Sequence, residues 1–139
     1  MSWWRLIGFS LALLGAMPAR AEVVHVGNQE LRRLMAQGVA LIDIRTAPEW
    51  AETGVVKGSH RITFFDEKGR HNAPAWLAQI EEIAKPGQPI AVICRSGNRT
   101  LPVSRFLAES GKYPTVYNVR DGTRGWMKEG LPMERLVVR

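Results

Sequence analysis

Apolar residues along this chain fall into two alternating patterns. Short continuous runs at Glu22-Val23-Val24-His25-Val26, Val39-Ala40-Leu41-Ile42-Asp43-Ile44, Arg61-Ile62-Thr63-Phe64-Phe65, Ile90-Ala91-Val92-Ile93 and Thr115 to Val119 read as strands. A run with no polar face is the pattern of a strand buried on both sides, as in a parallel sheet. Between these runs the apolar positions shift to helical spacing. Asn28 is placed to cap a helix over about Gln29–Gln37, with Leu31, Leu34 and Met35 on one face and Gly38 ending it. Thr46 and Glu49 have capping-box spacing, with Pro48 in the first turn of a short helix. Ala73 to Ala84 carries Trp76, Leu77, Ile80 and Ile83 on one side. Thr100 to Ser110 has Pro102 in its first turn and Gly111 beyond its end. Gly122 and Gly125 punctuate a turn into a last short helix around Trp126, and Pro132 follows it.

Strands alternating with helices predict an α/β domain with a mostly parallel central sheet and helices on both faces. Ile90–Ile93 is the expected central strand. In open parallel sheets, sites form at the carboxyl ends of central strands. Cys94 is the first residue past that end.

The first 21 residues fit a different pattern. Arg5 precedes an uncharged apolar run from Leu6 to Ala16, Pro18 breaks it, and Ala19-Arg20-Ala21 has the small-x-small form of a cleavage site. That order is a secretory signal peptide. The run is shorter than the about 20 residues of a permanent membrane anchor. The expected organisation is therefore a signal peptide over 1–21 and one domain over 22–139. Localisation would be periplasmic or secreted, with no stable membrane association after cleavage.

The formal charge is +6. Cleavage would remove Arg5 and Arg20 and no acidic residue, leaving +4. A basic balance favours anions in general. Yet the longest basic run is Arg32-Arg33, on a helix surface, so a nucleic-acid partner is not expected. His25, His60 and His71 share no ligand spacing with each other or with a cysteine, so neither a metal nor another cofactor is expected.

The chain has one cysteine, so no internal disulfide can hold it together. A lone thiol in an oxidising compartment is a liability unless it is buried, paired between chains or used. Its surroundings favour use. Cys94-Arg95-Ser96-Gly97-Asn98-Arg99 joins a buried strand to a helix start. Gly97 permits tight curvature, so backbone N–H groups can turn toward the sulfur. Arg95, Arg99 and the positive end of the following helix all favour thiolate, the reactive form. The same cradle suits a compact oxyanion such as thiosulfate, or the outer sulfur of a persulfide. An inert core cysteine would gain nothing from such a loop.

Three segments together resemble the rhodanese domain superfamily over about Glu22 to Met133. Leu41-Ile42-Asp43-Ile44-Arg45, with Pro48-Glu49-Trp50 and Gly54 to Gly58, is similar to its N-terminal signature. The Cys94–Arg99 loop is similar to its active-site loop, and Gly122-Thr123-Arg124-Gly125-Trp126 to its C-terminal signature. Asp121 and His60 depart from residues common in the family. The resemblance implies a rhodanese-like fold and a sulfurtransferase in which Cys94 takes a sulfane sulfur from a small-molecule donor such as thiosulfate and hands it to cyanide or a thiol. Arg95, Ser96, Gly97, Asn98 and Arg99 would then bind the substrate, and Asp43 with Arg45 would form a structural charge pair.

Three other functions compete. A cysteine phosphatase of related fold places five residues between Cys and Arg, whereas four separate Cys94 from Arg99. A non-enzymatic binding module would not need the cysteine. Thiol–disulfide exchange wants a resolving cysteine that this chain lacks. Trp50, Trp76 and Trp126 read as packing residues, and Asn98-Arg99-Thr100 as a chance glycosylation match inside the loop.

Overall fold

A computed structural model of the chain describes Gly15 and residues 20–137. The expected signal peptide falls almost wholly outside the described residues. No described helix is long and apolar enough to cross a membrane.

The elements run β1 (Glu22–Val26), α1 (Asn28–Ala36), β2 (Ala40–Asp43), α2 (Ala47–Thr53), β3 (Val55–Val56), β4 (His60–Arg61), α3 (Ala73–Ile83), β5 (Ile90–Ile93), α4 (Thr100–Glu109), β6 (Thr115–Val119), α5 (Gly122–Lys128) and β7 (Met133–Glu134). Five strands form a parallel sheet in the order β1-β6-β5-β2-β4, with β5 at its centre. The apolar runs predict this because both faces of the sheet are covered. Ile42, Ile90, Val92 and Val116 point into one core with Trp76 and Ile80 of α3 and Val103 and Leu107 of α4. Leu41, Ala91, Ile93 and Val119 point into the other, with Leu31 and Leu34 of α1 and Trp126 of α5. All four residues of β5 are fully buried.

Four elements differ from the sequence expectation. Helix α1 starts one residue early, capped at Gly27, so Asn28 is its first residue rather than its cap. The Asn28 amide instead donates to the Gly125 carbonyl at 3.1 Å, tying α1 to α5. The strand expected over Arg61–Phe65 is only His60–Arg61, although the next residues continue along β2 through Ile62 N–H to Asp43 carbonyl and Phe64 N–H to Ile44 carbonyl. The two-residue pair β3·β7 is antiparallel and too short to leave a periodic signal. His60 and Asp121, the two departures from family habit, are both exposed, and no described non-glycine residue has positive φ.

Asp43 and Arg45 are buried, at 0% and 1% side-chain exposure. A charge pair so placed must satisfy its hydrogen-bonding groups internally, because desolvation is costly. Arg45 Nη2 donates to Asp43 Oδ2 at 2.8 Å and Nε to Oδ1 at 3.1 Å. Its outer face donates to Thr53 Oγ1 at 2.9 Å and the Gly54 carbonyl at 2.8 Å. The pair thus fixes the end of β2 to the end of α2, the structural role expected of it. Trp76 and Trp126 are core residues whose indole N–H groups reach the Ile62 and Pro132 carbonyls, while Trp50 is half-buried under the Arg61 guanidinium. Replacing Arg45 by Ala strands a buried carboxylate and should cost about 3–5 kcal/mol in urea-unfolding free energy.

Candidate active site

The carboxyl end of β5 delivers Cys94 to the rim of the sheet, yet the residue is only 1% exposed. Its sulfur lies inside the following loop. Gly97 N–H points at Cys94 Sγ, 3.2 Å away, and the Thr100 hydroxyl is 3.6 Å from it. That hydroxyl is also 3.1 Å from the Gly97 carbonyl. A thiol proton can therefore be donated to Thr100 while Thr100 donates to Gly97. When the sulfur is anionic, the hydroxyl can turn its proton from the Gly97 carbonyl to the sulfur, in a charge-assisted hydrogen bond.

The loop holds this shape because its carbonyl groups are occupied elsewhere. Thr123 N–H donates to the Cys94 carbonyl at 2.9 Å and Arg124 N–H to the Arg95 carbonyl at 3.0 Å. Leu101 N–H donates to the Asn98 carbonyl at 3.2 Å. Two glycines make the fit. Gly97 has φ +91°, and a Cβ there would collide with the Arg120 carbonyl oxygen. Gly122 has φ +61°, and a Cβ there would collide with the Cys94 and Arg95 carbonyl groups. Positive φ and close backbone approach are the two conditions under which only glycine serves without strain.

Of the five loop residues named from sequence, Gly97 alone donates a hydrogen bond to the sulfur among the described residues. Ser96 is half-buried, and Arg95 and Asn98 are exposed. Arg99 is half-buried and does not stand free. Its Nη1 and Nη2 each lie 2.7 Å from one oxygen of Glu49, a bidentate pair. Its positive charge is largely offset there. The two arginines are placed differently: Arg95 is exposed with no ion-pair partner among the described residues, while Arg99 is tethered to Glu49.

Glu49 and Thr100 carry more of the site than the sequence revealed. Glu49 marks the start of α2, where Thr46 N–H and hydroxyl approach its Oε1 at 3.4 and 3.0 Å, the expected capping box. The same carboxylate clamps Arg99, fifty positions along the chain. Partial burial pushes the Glu49 pKa up, but the hydrogen bonds and charge of Arg99, with the Thr46 donors, outweigh it and bring the pKa down to about 2. The pair also raises the Arg99 pKa, chiefly through the hydrogen bond that Arg99 donates to Glu49. Thr100 was readable only as a helix start; a hydroxyl just past a Cys–Gly loop was the available hint.

The fold and site define a class: a parallel α/β domain that presents one cysteine in a tight, glycine-bent backbone loop between a central strand and a helix. The chain belongs to the rhodanese-like domain family, whose model matches residues 27–129. Among its relatives, thiosulfate sulfurtransferase 18 of Arabidopsis thaliana is 27% identical over 81% of this chain and 84% of its own length. Thiosulfate sulfurtransferase GlpE of Actinobacillus succinogenes is 46% identical over 80 residues, 57% of this chain and 71% of its own. The fold is similar to the crystal structure of Rv0390 from M. tuberculosis, with a TM-score of 0.69 and 24% identity over 84% of this chain and 99% of that one.

The Glu49–Arg99 tether has a pH signature. Glu49 has an ordinary value of 4.5 when unconstrained and about 2 here. A depressed carboxylate pKa adds stability that is fully present above the ordinary value and is lost as pH falls through the folded one. With a discount for solvent screening, Glu49→Gln should be about 1–2 kcal/mol less stable than the parent at neutral pH. The difference should close between pH 4.5 and about 2, as measured by chemical unfolding at a series of pH values.

Proposed function

We propose that the chain is a sulfurtransferase that carries a sulfane sulfur on Cys94. The observation that carries this reading is the buried Cys94 sulfur facing Gly97 N–H at 3.2 Å in a loop whose carbonyls are turned away. Thiosulfate suits the first step. The Cys94 thiolate attacks the outer sulfur, a Cys–S bond forms, and sulfite leaves with the electron pair of the broken S–S bond. An acceptor, cyanide or a thiolate, then attacks the carried sulfur, and the electrons of the breaking bond return to Cys94. The loop residues Arg95 to Arg99 surround the carried sulfur, and their backbone N–H groups are the donors suited to its negative charge.

Two features favour sulfur over phosphoryl transfer. The loop is short, and the guanidinium that a phosphatase would aim at its phosphate is fastened to Glu49. With no second cysteine in the chain, the cycle needs only one thiol, and any thiol that receives the sulfur comes from outside.

Mass spectrometry after thiosulfate treatment should find one added sulfur, located on Cys94, and its discharge by cyanide as thiocyanate. Cys94→Ser should keep the fold and lose both signals. Thiocyanate formation by Cys94→Ser at the parent rate would overturn the assignment.

We also propose export, on the Arg5, Leu6–Ala16 and Ala19-Arg20-Ala21 order. N-terminal sequencing of protein recovered from the periplasm or medium should begin at Glu22. Recovery of Met1 on membrane-bound protein would mean an anchor instead.

A further inference from the structure

The Cys94 sulfur has two hydrogen-bonding neighbours among the described residues, and they differ in one respect. Gly97 N–H has its direction fixed by the backbone. The Thr100 hydroxyl has a choice. Its oxygen lies 3.6 Å from Cys94 Sγ and 3.1 Å from the Gly97 carbonyl oxygen. A hydroxyl carries one proton, so it donates to one of these acceptors at a time. Thr100 is the first residue of α4, and the carbonyl belongs to the residue three before it. That is a side-chain position helical threonines adopt to reach back along the chain, so the heavy atoms keep their places while the proton alone turns. Thr100 is 0% exposed, so bulk water does not compete for that proton.

From this geometry, resting on the sulfurtransferase reading above, we infer that Thr100 is a catalytic residue of the second half of the cycle, where it stabilises Cys94 as the departing thiolate. In the persulfide the negative charge lies on the outer sulfur. The inner one, Cys94 Sγ, is bonded to carbon and to sulfur and is neutral, so the hydroxyl stays on the Gly97 carbonyl. During discharge the acceptor's electron pair forms a bond to the outer sulfur, the Sγ–S bond breaks, and its electron pair goes to Sγ. The growing charge draws the Thr100 proton across, and a charge-assisted hydrogen bond forms as the covalent bond breaks. This contact is stronger in the transition state than in the persulfide, which is the condition for accelerating a step. Loading runs the other way. There the thiolate already holds the proton and must give up charge to the donor's outer sulfur, so the same hydrogen bond restrains it. One residue thus acts in opposite directions on the two halves. Exchange at sulfur has this form in general: a less basic thiolate attacks more slowly and leaves faster.

Thr100→Val keeps the outline of the side chain and removes the hydroxyl, while Thr100→Ser keeps the hydroxyl. Thiolate absorbance against pH should show its midpoint about one pH unit higher in Thr100→Val than in the parent, and nearly unmoved in Thr100→Ser. The two half-reactions are then timed separately in single turnover, above both midpoints, where every molecule is thiolate. Loading is followed by sulfite release from thiosulfate, and discharge by thiocyanate formation from protein already carrying sulfur. Rates of exchange at sulfur respond to about half of such a shift on a logarithmic scale. Thr100→Val should therefore load about threefold faster and discharge about threefold more slowly, with Thr100→Ser matching the parent in both. A purely structural role would slow both steps together. A fall in both rates by a similar factor, in a variant whose circular dichroism matches the parent, overturns the assignment, and so does discharge at the parent rate. Thr100→Ala supplies the same pair of rates if Thr100→Val does not fold. If the parent itself takes up no sulfur on Cys94, the sulfurtransferase reading fails and this role fails with it. If the parent cycles and the two rates move together, the role of Thr100 alone is lost.

Discussion

The site depends on where a handful of backbone carbonyls point. A peptide loop presents N–H groups to its centre only if its C=O groups find partners outside it. Here the first turn of α5 takes the Cys94 and Arg95 carbonyls, and the start of α4 takes those of Gly97 and Asn98. The interior is left to donors, of which Gly97 N–H reaches the sulfur. This makes α5 a second wall of the site although it contributes no side chain to the sulfur. It also explains Gly122, since any side chain there would push the α5 turn off the loop.

Charge is distributed more sparingly than the basic composition suggests. The two cations flanking the loop have different fates: one is fastened to a carboxylate, the other faces solvent. The fixed dipoles within reach of the sulfur are Gly97 N–H and the start of α4, while the Thr100 hydroxyl can turn to it only by leaving the Gly97 carbonyl. Such groups act at short range in a water-poor setting, where they are worth more than an exposed cation screened by salt. The ion pair serves geometry instead. Glu49 ties the α2 end of the site to the last residue of the loop, while Asp43–Arg45 ties β2 to the other end of α2. Helix α2 is thus held at both ends by charged side chains rather than by a buried apolar face, none of its residues being fully buried.

The difference between what was legible in the sequence and what was not follows this division. Apolar runs and helical spacing are local, so the five parallel-sheet strands, the five helices and the placing of Cys94 at the end of β5 could all be read from the residues. The capping box at Thr46 was legible for the same reason. The clamp of Glu49 on Arg99 joins residues fifty apart and has no local signature. Nor could Asn28, a good cap by type, announce that its amide would be spent on Gly125. Two-residue pairings such as β3·β7 arise from tertiary closure, not from any run of side chains.

The proposed single-cysteine cycle places a requirement on the surrounding surface. The carried sulfur must be held tightly enough to survive water, yet the incoming nucleophile must reach it along the line of the breaking bond. A cysteine buried to 1% exposure meets the first need. The second falls to the groups around the mouth, and these lie on α2 and α5, the two elements already fixed to the loop by hydrogen bonds. In the proposed cycle, an acceptor approaching between those helices would be positioned by the same contacts that shape the cradle. Orientation of the acceptor and stabilisation of the sulfur are then one structural property, and a change in the α5 turn that loosened one would loosen the other.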